Sequence, residues 1–139
     1  MNTLEPEEIT PEYRLVYEAA LEARRCAYAP YSHFAVGAAL IDEVGNLHTG
    51  CNVENASYGL TICAERVAIF KMVATGATKI AILCCVTENG SACCGACRQV
   101  IWEFCGGNTK IPILLGDTEG NINITTNGEL LPHGFELVP

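Results

Sequence analysis

Positive charge is scarce in this chain. Eight lysines and arginines stand against sixteen aspartates and glutamates, for a formal net charge of −8. Non-specific affinity for nucleic acid comes mainly from cationic contacts to phosphate, so the expected partner is a small or neutral molecule and not a polymer. Long apolar runs are missing too. No stretch approaches the roughly 20 residues that a membrane-spanning helix needs. The opening MNTLEPEEIT is acidic and polar, unlike a secretory signal. A cytoplasmic protein with neither nucleic-acid nor membrane partners is the expectation. Internal repeats, low-complexity tracts and linkers are also absent, and 139 residues suit a single domain, residues 1–139. Half of the residues are hydrophobic, which is enough to bury a core without covalent staples.

Cysteine is what the chain has in excess. Nine are present. In a reducing compartment that number reads as buried thiols plus metal or redox chemistry, not a disulfide framework. An odd count would also leave one thiol over.

The periodicity predicts a mixed α/β fold. Thr10 can cap a first helix with Pro11 at its first position. Leu15, Val16, Ala19, Ala20, Ala23 and Ala27 then share one face, giving a helix over 11–27. Pro30 ends that region. FAVGAALI (34–41) and LHTGCNV (47–53) read as a hairpin around the turn EVGN. A helix over 62–75 stops at Gly76. KIAILCCVT (79–87) is a buried strand, CGACRQVIWEFC (94–105) a second buried helix, and IPILLG (111–116) and INITT (122–126) are further strands. Together they imply three layers: a mixed sheet of about five strands with helices on both faces.

Two helix starts carry the chemistry. In TICAERVAIF, Cys63 stands two residues before Glu65; in SACCGACRQV, Cys94 and Cys97 form a CxxC. Thiols three residues apart share a helix face and can reach one ion. If the two helix starts lie side by side, Cys63 joins them, and the helix dipoles favour the thiolate forms. Three protein donors on zinc leave a fourth position for water, the pattern of a catalytic site. Glu65, offset from Cys63, would move that water's proton. Arg66 could draw charge from a thiolate, although a helix-surface arginine is the blander reading. The CxxC alone fits a thiol–disulfide oxidoreductase equally well, and a structural zinc site with Cys93 as fourth ligand is another possibility. Cys84 and Cys85 fall on opposite faces of a buried strand and read as small core residues. Cys26, Cys51 and Cys105, and the histidines His33, His48 and His133, show no ligand spacing.

Taken together, YAPYSHFAVGAAL (28–40), GCNVENASYGLTICAERVAI (50–69), CGACRQVIWEF (94–104) and ELLPHGF (129–135) resemble the small, homotetrameric, zinc-dependent cytidine deaminases. The resemblance implies one zinc per subunit on Cys63, Cys94 and Cys97, with Glu65 as the proton shuttle that also bonds N3 of the pyrimidine. It implies hydrolysis of cytidine and deoxycytidine to uridine and deoxyuridine plus ammonia, a step of pyrimidine salvage. Phe34 would pack on the base, Asn52 and Glu54 would grip the ribose 3′-hydroxyl, and Ala64 would line the site. Ala56, Tyr58 and Phe135 would reach the site of a neighbouring subunit. Blasticidin deaminase shares the zinc and the CAE motif, but NVENASYG and FAVGAAL favour cytidine. The chain departs from the family at Cys93, where proline is usual. Cysteine restores a backbone N–H there and puts an extra thiol beside a ligand.

Overall fold

The computed structural model describes residues 1–139. Its first long helix begins as the sequence predicts. Thr10 Oγ1 accepts a hydrogen bond from the Tyr13 N–H at 3.1 Å, with Pro11 at the first helical position. This helix, α1, spans Pro11–Ala23, shorter than the expected 11–27. Residues Arg24–Cys26 tighten into a 3-10 turn instead. The Arg24 side chain holds that turn against the next segment, donating from Nε to the Ala35 carbonyl at 3.0 Å.

The strands are β1 (Asn2–Thr3), β2 (Gly37–Asp42), β3 (Leu47–Cys51), β4 (Ile80–Val86), β5 (Pro112–Gly116) and β6 (Ile122–Thr126). The remaining helices are α2 (Ala64–Ala74), α3 (Gly95–Glu103) and the short α4 (Asn127–Leu130). One sheet runs in the order β1-β6-β5-β4-β2-β3. Only β4 and β5 pair in parallel, because α3 carries the chain back across the sheet between them. The sixth strand, beyond the five anticipated, is β1. It contributes two residues, with Asn2 opposite Ile124 on β6.

Strand periodicity splits the core in two. Ile82, Cys84 and Val86 of β4 face α1, where Val16, Tyr17 and Ala20 are buried. Leu83 and Cys85 face the opposite layer, against Ala68, Ile69 and Met72 of α2 and Ile101 of α3. The helices α2 and α3 thus lie on one face, and their N-termini come together. No helix is long and apolar enough to cross a membrane.

Gly50 lets α2 sit close to the sheet. A Cβ there would stand 2.5 Å from the Ala64 carbonyl oxygen and 2.6 Å from the Ala68 nitrogen. Both are backbone atoms that cannot swing aside. Gly50→Ala is therefore expected to destabilise the fold by about 1–3 kcal/mol. Denaturant unfolding measures this, and an unchanged midpoint would mean that α2 has room to shift.

Candidate active site and metal centre

Both helix starts place a cysteine just outside the helix. Cys63 is the residue before α2, with φ −71° and ψ 155°, and Cys94 is the residue before α3, with φ −68° and ψ 166°. These extended conformations turn the side chains back over the helix ends. Cys94 Sγ accepts from the Cys97 backbone N–H at 3.4 Å, as a capping side chain does. Cys63 and Cys94 Sγ lie 3.6 Å apart, and the sulfurs of Cys63, Cys94 and Cys97 all fall within 4.8 Å of one another.

That geometry fits zinc. Sulfurs at about 2.3 Å from a tetrahedral ion stand about 3.8 Å apart, close to the spacing seen. Thiolates are soft donors that zinc accepts readily. Three of them leave one coordination position for another ligand. The third thiol is also one more than a CxxC oxidoreductase requires.

The electrostatics favour charge on this cluster. The Cys63 thiol is held well below its usual range, first by the Cys97 thiol that donates to it and then by Arg66 and Cys94, against the opposing effect of burial. Cys97 is pushed up correspondingly by its bond to Cys63 and by burial. Arg66 Nη2 lies 3.5 Å from Cys63 Sγ. Its Nε is buried without a partner. Arg66→Gln removes the guanidinium charge beside the thiolate. Zinc affinity, read by competition with a chelating dye, should weaken about 10- to 100-fold. No change would reduce Arg66 to a packing residue.

Glu65 sits in the first turn of α2 and is only 3% exposed. Burial raises its pKa, and the charge on Cys63 raises it further; its own backbone N–H and the Cys97 and Cys93 thiols oppose the shift. A carboxyl whose proton is held closer to neutral pH is suited to giving and taking protons.

A cavity of about 260 Å³ opens onto this cluster. Cys63, Cys94 and Glu65 line it together with Phe34, Asn52 and Glu54. Asn52 is buried with its amide spread across the wall. Its Oδ1 accepts from the Val36 N–H at 2.9 Å and its Nδ2 donates to the Phe34 carbonyl at 2.8 Å, leaving one N–H unused. Glu54 Oε1 accepts from the Tyr31 and Ser32 N–H groups at 3.0 and 3.1 Å, and its Oε2 accepts from the Ser32 hydroxyl. These bonds hold its pKa below the ordinary range, the Ser32 hydroxyl most of all. Between these anchors the chain turns through His33 at φ 59°, in the left-handed region. A larger polar recess, about 500 Å³ near Trp102 and His133, contains none of these groups.

The remaining expected residues separate by position. Ala64 is fully buried at the first turn of α2. Tyr58 and Phe135 are 76% and 65% exposed and Ala56 is exposed; Tyr58 lines an adjoining recess of about 350 Å³ that shares Ser32, Glu54 and Thr61 with the cavity, and Ala56 and Phe135 line neither. Sequence reasoning missed the residues that hold this frame. Ser32 fixes Glu54, and its only signal was its place in YAPYSH. Arg98 donates to the Cys93 carbonyl at 2.8 Å and the Leu130 carbonyl at 2.9 Å. Gln99 grips Phe135 through both its N–H and its carbonyl, at 3.3 and 3.0 Å. These two long-range latches have no signature in local spacing.

Residues 11–113 match the family model described as the cytidine and deoxycytidylate deaminase zinc-binding region, and the chain belongs to that family of zinc-dependent deaminases. Among its relatives, the cytidine deaminase of Sporosarcina psychrophila is 49% identical over 82% of this chain and 84% of that protein. The cytidine deaminase of Halalkalibacterium halodurans is 45% identical over 88% of this chain and 92% of its own. The crystal structure of cytidine deaminase from Burkholderia pseudomallei superposes with a TM-score of 0.83 at 46% identity, covering 88% of this chain and 98% of that one.

Proposed function

We propose that the protein catalyses the hydrolytic deamination of cytidine and deoxycytidine to uridine and deoxyuridine, releasing ammonia, as one domain spanning residues 1–139. The observation that carries this reading is a single cavity lined by two thiols of the three-thiol cluster, a buried carboxyl, an aromatic, an amide and a second carboxylate. Bound zinc supplies the acidity that makes a water nucleophilic near neutral pH. Glu65 takes one proton of the attacking water and delivers it to N3 of the base, then takes the second proton from the oxygen now bonded to C4 and passes it to the departing amine, so that ammonia leaves and the C4 carbonyl forms. Its burial supports that role by keeping the proton within reach. Phe34 packs on the base, Ala64 bounds the floor, and Asn52 and Glu54 bond the ribose 3′-hydroxyl. The charge of Glu54 repels a phosphate, which favours nucleosides over nucleotides. Both ribose and deoxyribose carry the hydroxyl these residues grip.

The active form is a homotetramer in which Ala56, Tyr58 and Phe135 complete a neighbour's cavity. Supporting this is α2, whose outward face carries Phe70 and Val73, 50% and 39% exposed, where a surface helix normally shows polar groups. The reaction belongs in the cytoplasm, a reducing compartment that suits a chain of nine free cysteines and no structural disulfide. Ultraviolet absorbance of cytidine and of deoxycytidine mixed with zinc-loaded protein tests the assignment. Conversion of both is expected. A folded, zinc-loaded protein that converts neither would overturn it.

A further inference from the structure

Three of the nine cysteines form the metal cluster, and Cys84, Cys85, Cys93 and Cys105 are buried. Two remain, Cys26 and Cys51, and they touch. Cys51 Sγ donates to the Cys26 carbonyl at 3.4 Å. A carbonyl oxygen lies about 2.4 Å from its own Cα, so the Cys51 sulfur is within about 5.8 Å of the Cys26 Cα. The Cys51 sulfur thus rests against the Cys26 backbone, and the exposed Cys26 side chain is the one free to turn toward it.

The fold holds them in register. Tyr28 and Val53 form a parallel bridge, with the Tyr28 N–H donating to the Asn52 carbonyl at 2.9 Å and the Glu54 N–H to the Tyr28 carbonyl at 2.8 Å. Cys26 and Cys51 each stand two residues before that bridge. The Arg24 clamp on Ala35 fixes the turn that carries Cys26. Gly37, paired opposite Cys51, allows the close approach of α1; a Cβ there would stand 1.9 Å from the Ala20 carbonyl oxygen.

The two thiols differ in access. Cys26 is exposed and meets a solute first. Cys51 is half-buried, and burial pushes its thiol up, as does the nearby Cys26, while Lys71 draws it down. We propose that Cys26 and Cys51 form a redox dithiol that reacts with low-molecular-weight disulfides and closes into an intramolecular disulfide. The Cys26 thiolate attacks one sulfur of the oxidant, which leaves as a thiol and creates a mixed disulfide. The Cys51 thiolate attacks the Cys26 sulfur and expels the second thiol. The two protein thiols lose two electrons and two protons, and the oxidant gains them. The bond ties the end of α1 to the strand that leads into Asn52, and so to the cavity wall that Asn52 pins.

The test treats the full-length, zinc-loaded protein with oxidised glutathione and follows intact mass, peptide maps and metal content. Expected is the loss of two hydrogens, a cross-linked peptide joining Cys26 to Cys51, reversal by dithiothreitol, and unchanged zinc. Cys51→Ser should trap a glutathione adduct on Cys26, and Cys26→Ser should give no cross-link. A stable adduct on Cys26 in the wild type would overturn the proposal, because Cys51 would then fail to resolve it. Loss of two hydrogens that persists in both variants would overturn it too, by placing the bond on other cysteines. The wild-type peptide map decides even if a variant folds poorly. Because the readout is covalent, it does not depend on which nucleoside is deaminated.

Discussion

Glu65→Gln is expected to lower kcat/KM for cytidine by about 10²- to 10⁴-fold, the range that a positioned proton-transfer group contributes. Zinc content should not change, because Glu65 is not one of the three clustered sulfur donors. The variant should also alter stability in a pH-dependent way. Burial raises the folded pKa of Glu65 above its unfolded value. Below the unfolded value both states hold the proton, and the group contributes no difference. As pH rises, the unfolded chain releases the proton first, so the folded state is progressively penalised. Glutamine carries no such penalty. Glu65→Gln should therefore melt above wild type at pH 7 and level with it near pH 4. A variant that keeps near-normal turnover would remove Glu65 from the chemistry. A variant that gains no stability at neutral pH would mean that the site already compensates the buried charge.

Loss of Cys94 should be as severe for activity. Zinc binding to a protein site is worth about 10–16 kcal/mol. Shared among three protein donors, one thiolate contributes about 3–5 kcal/mol, so Cys94→Ala should weaken zinc about 10²- to 10⁴-fold. Metal content after dialysis, measured by atomic spectroscopy, should fall from one zinc per chain toward none, and deamination should fall with it. The adjacent Cys93 is the obvious substitute, but the fold directs it elsewhere. Its side chain is 3% exposed and packs in the core beneath α2 and α3, outside the cluster of three sulfurs. Its thiol is pushed up by burial and by the Glu65 carboxyl nearby. Full zinc occupancy in Cys94→Ala would show that Cys93 can swing into the vacated position.

The long elements were legible because their hydrophobic periods are strong. α1 starts at Pro11 as Thr10 indicates, and β4 puts Cys84 and Cys85 on opposite faces as the alternation requires. The metal trio was legible for a different reason: cysteine spacing at helix starts is local, and only the juxtaposition of the two helices had to be inferred. Short elements were not legible. β1 is two polar residues that form a strand only because β6 offers an open edge, and α4 has four residues, too few to show a helical period. The carboxyl of Glu54 is engaged by Tyr31 and Ser32, more than 20 residues upstream. The Arg98 bond to Leu130 spans 32 residues. Such contacts depend on tertiary placement and leave no trace in local pattern. The same holds for the contact between Cys26 and Cys51, neither of which has ligand spacing.

Cys63 and Cys94 are separated by 31 residues of chain. Joining the ends of a loop that long costs about 3 kcal/mol of chain entropy before any contact repays it. In a small zinc finger the ligands lie a few residues apart, so the ion can organise an otherwise unfolded peptide. Here the segment between the ligands includes α2 and β4, and the two ligand-bearing helix starts meet because α2 and α3 pack on the sheet in which β4 pairs with β2 and β5. The ligand set therefore depends on tertiary packing and not on local chain. An ion held there ties together two helix starts that the hydrophobic core already supports, so the metal is a clamp on the scaffold and not its nucleus.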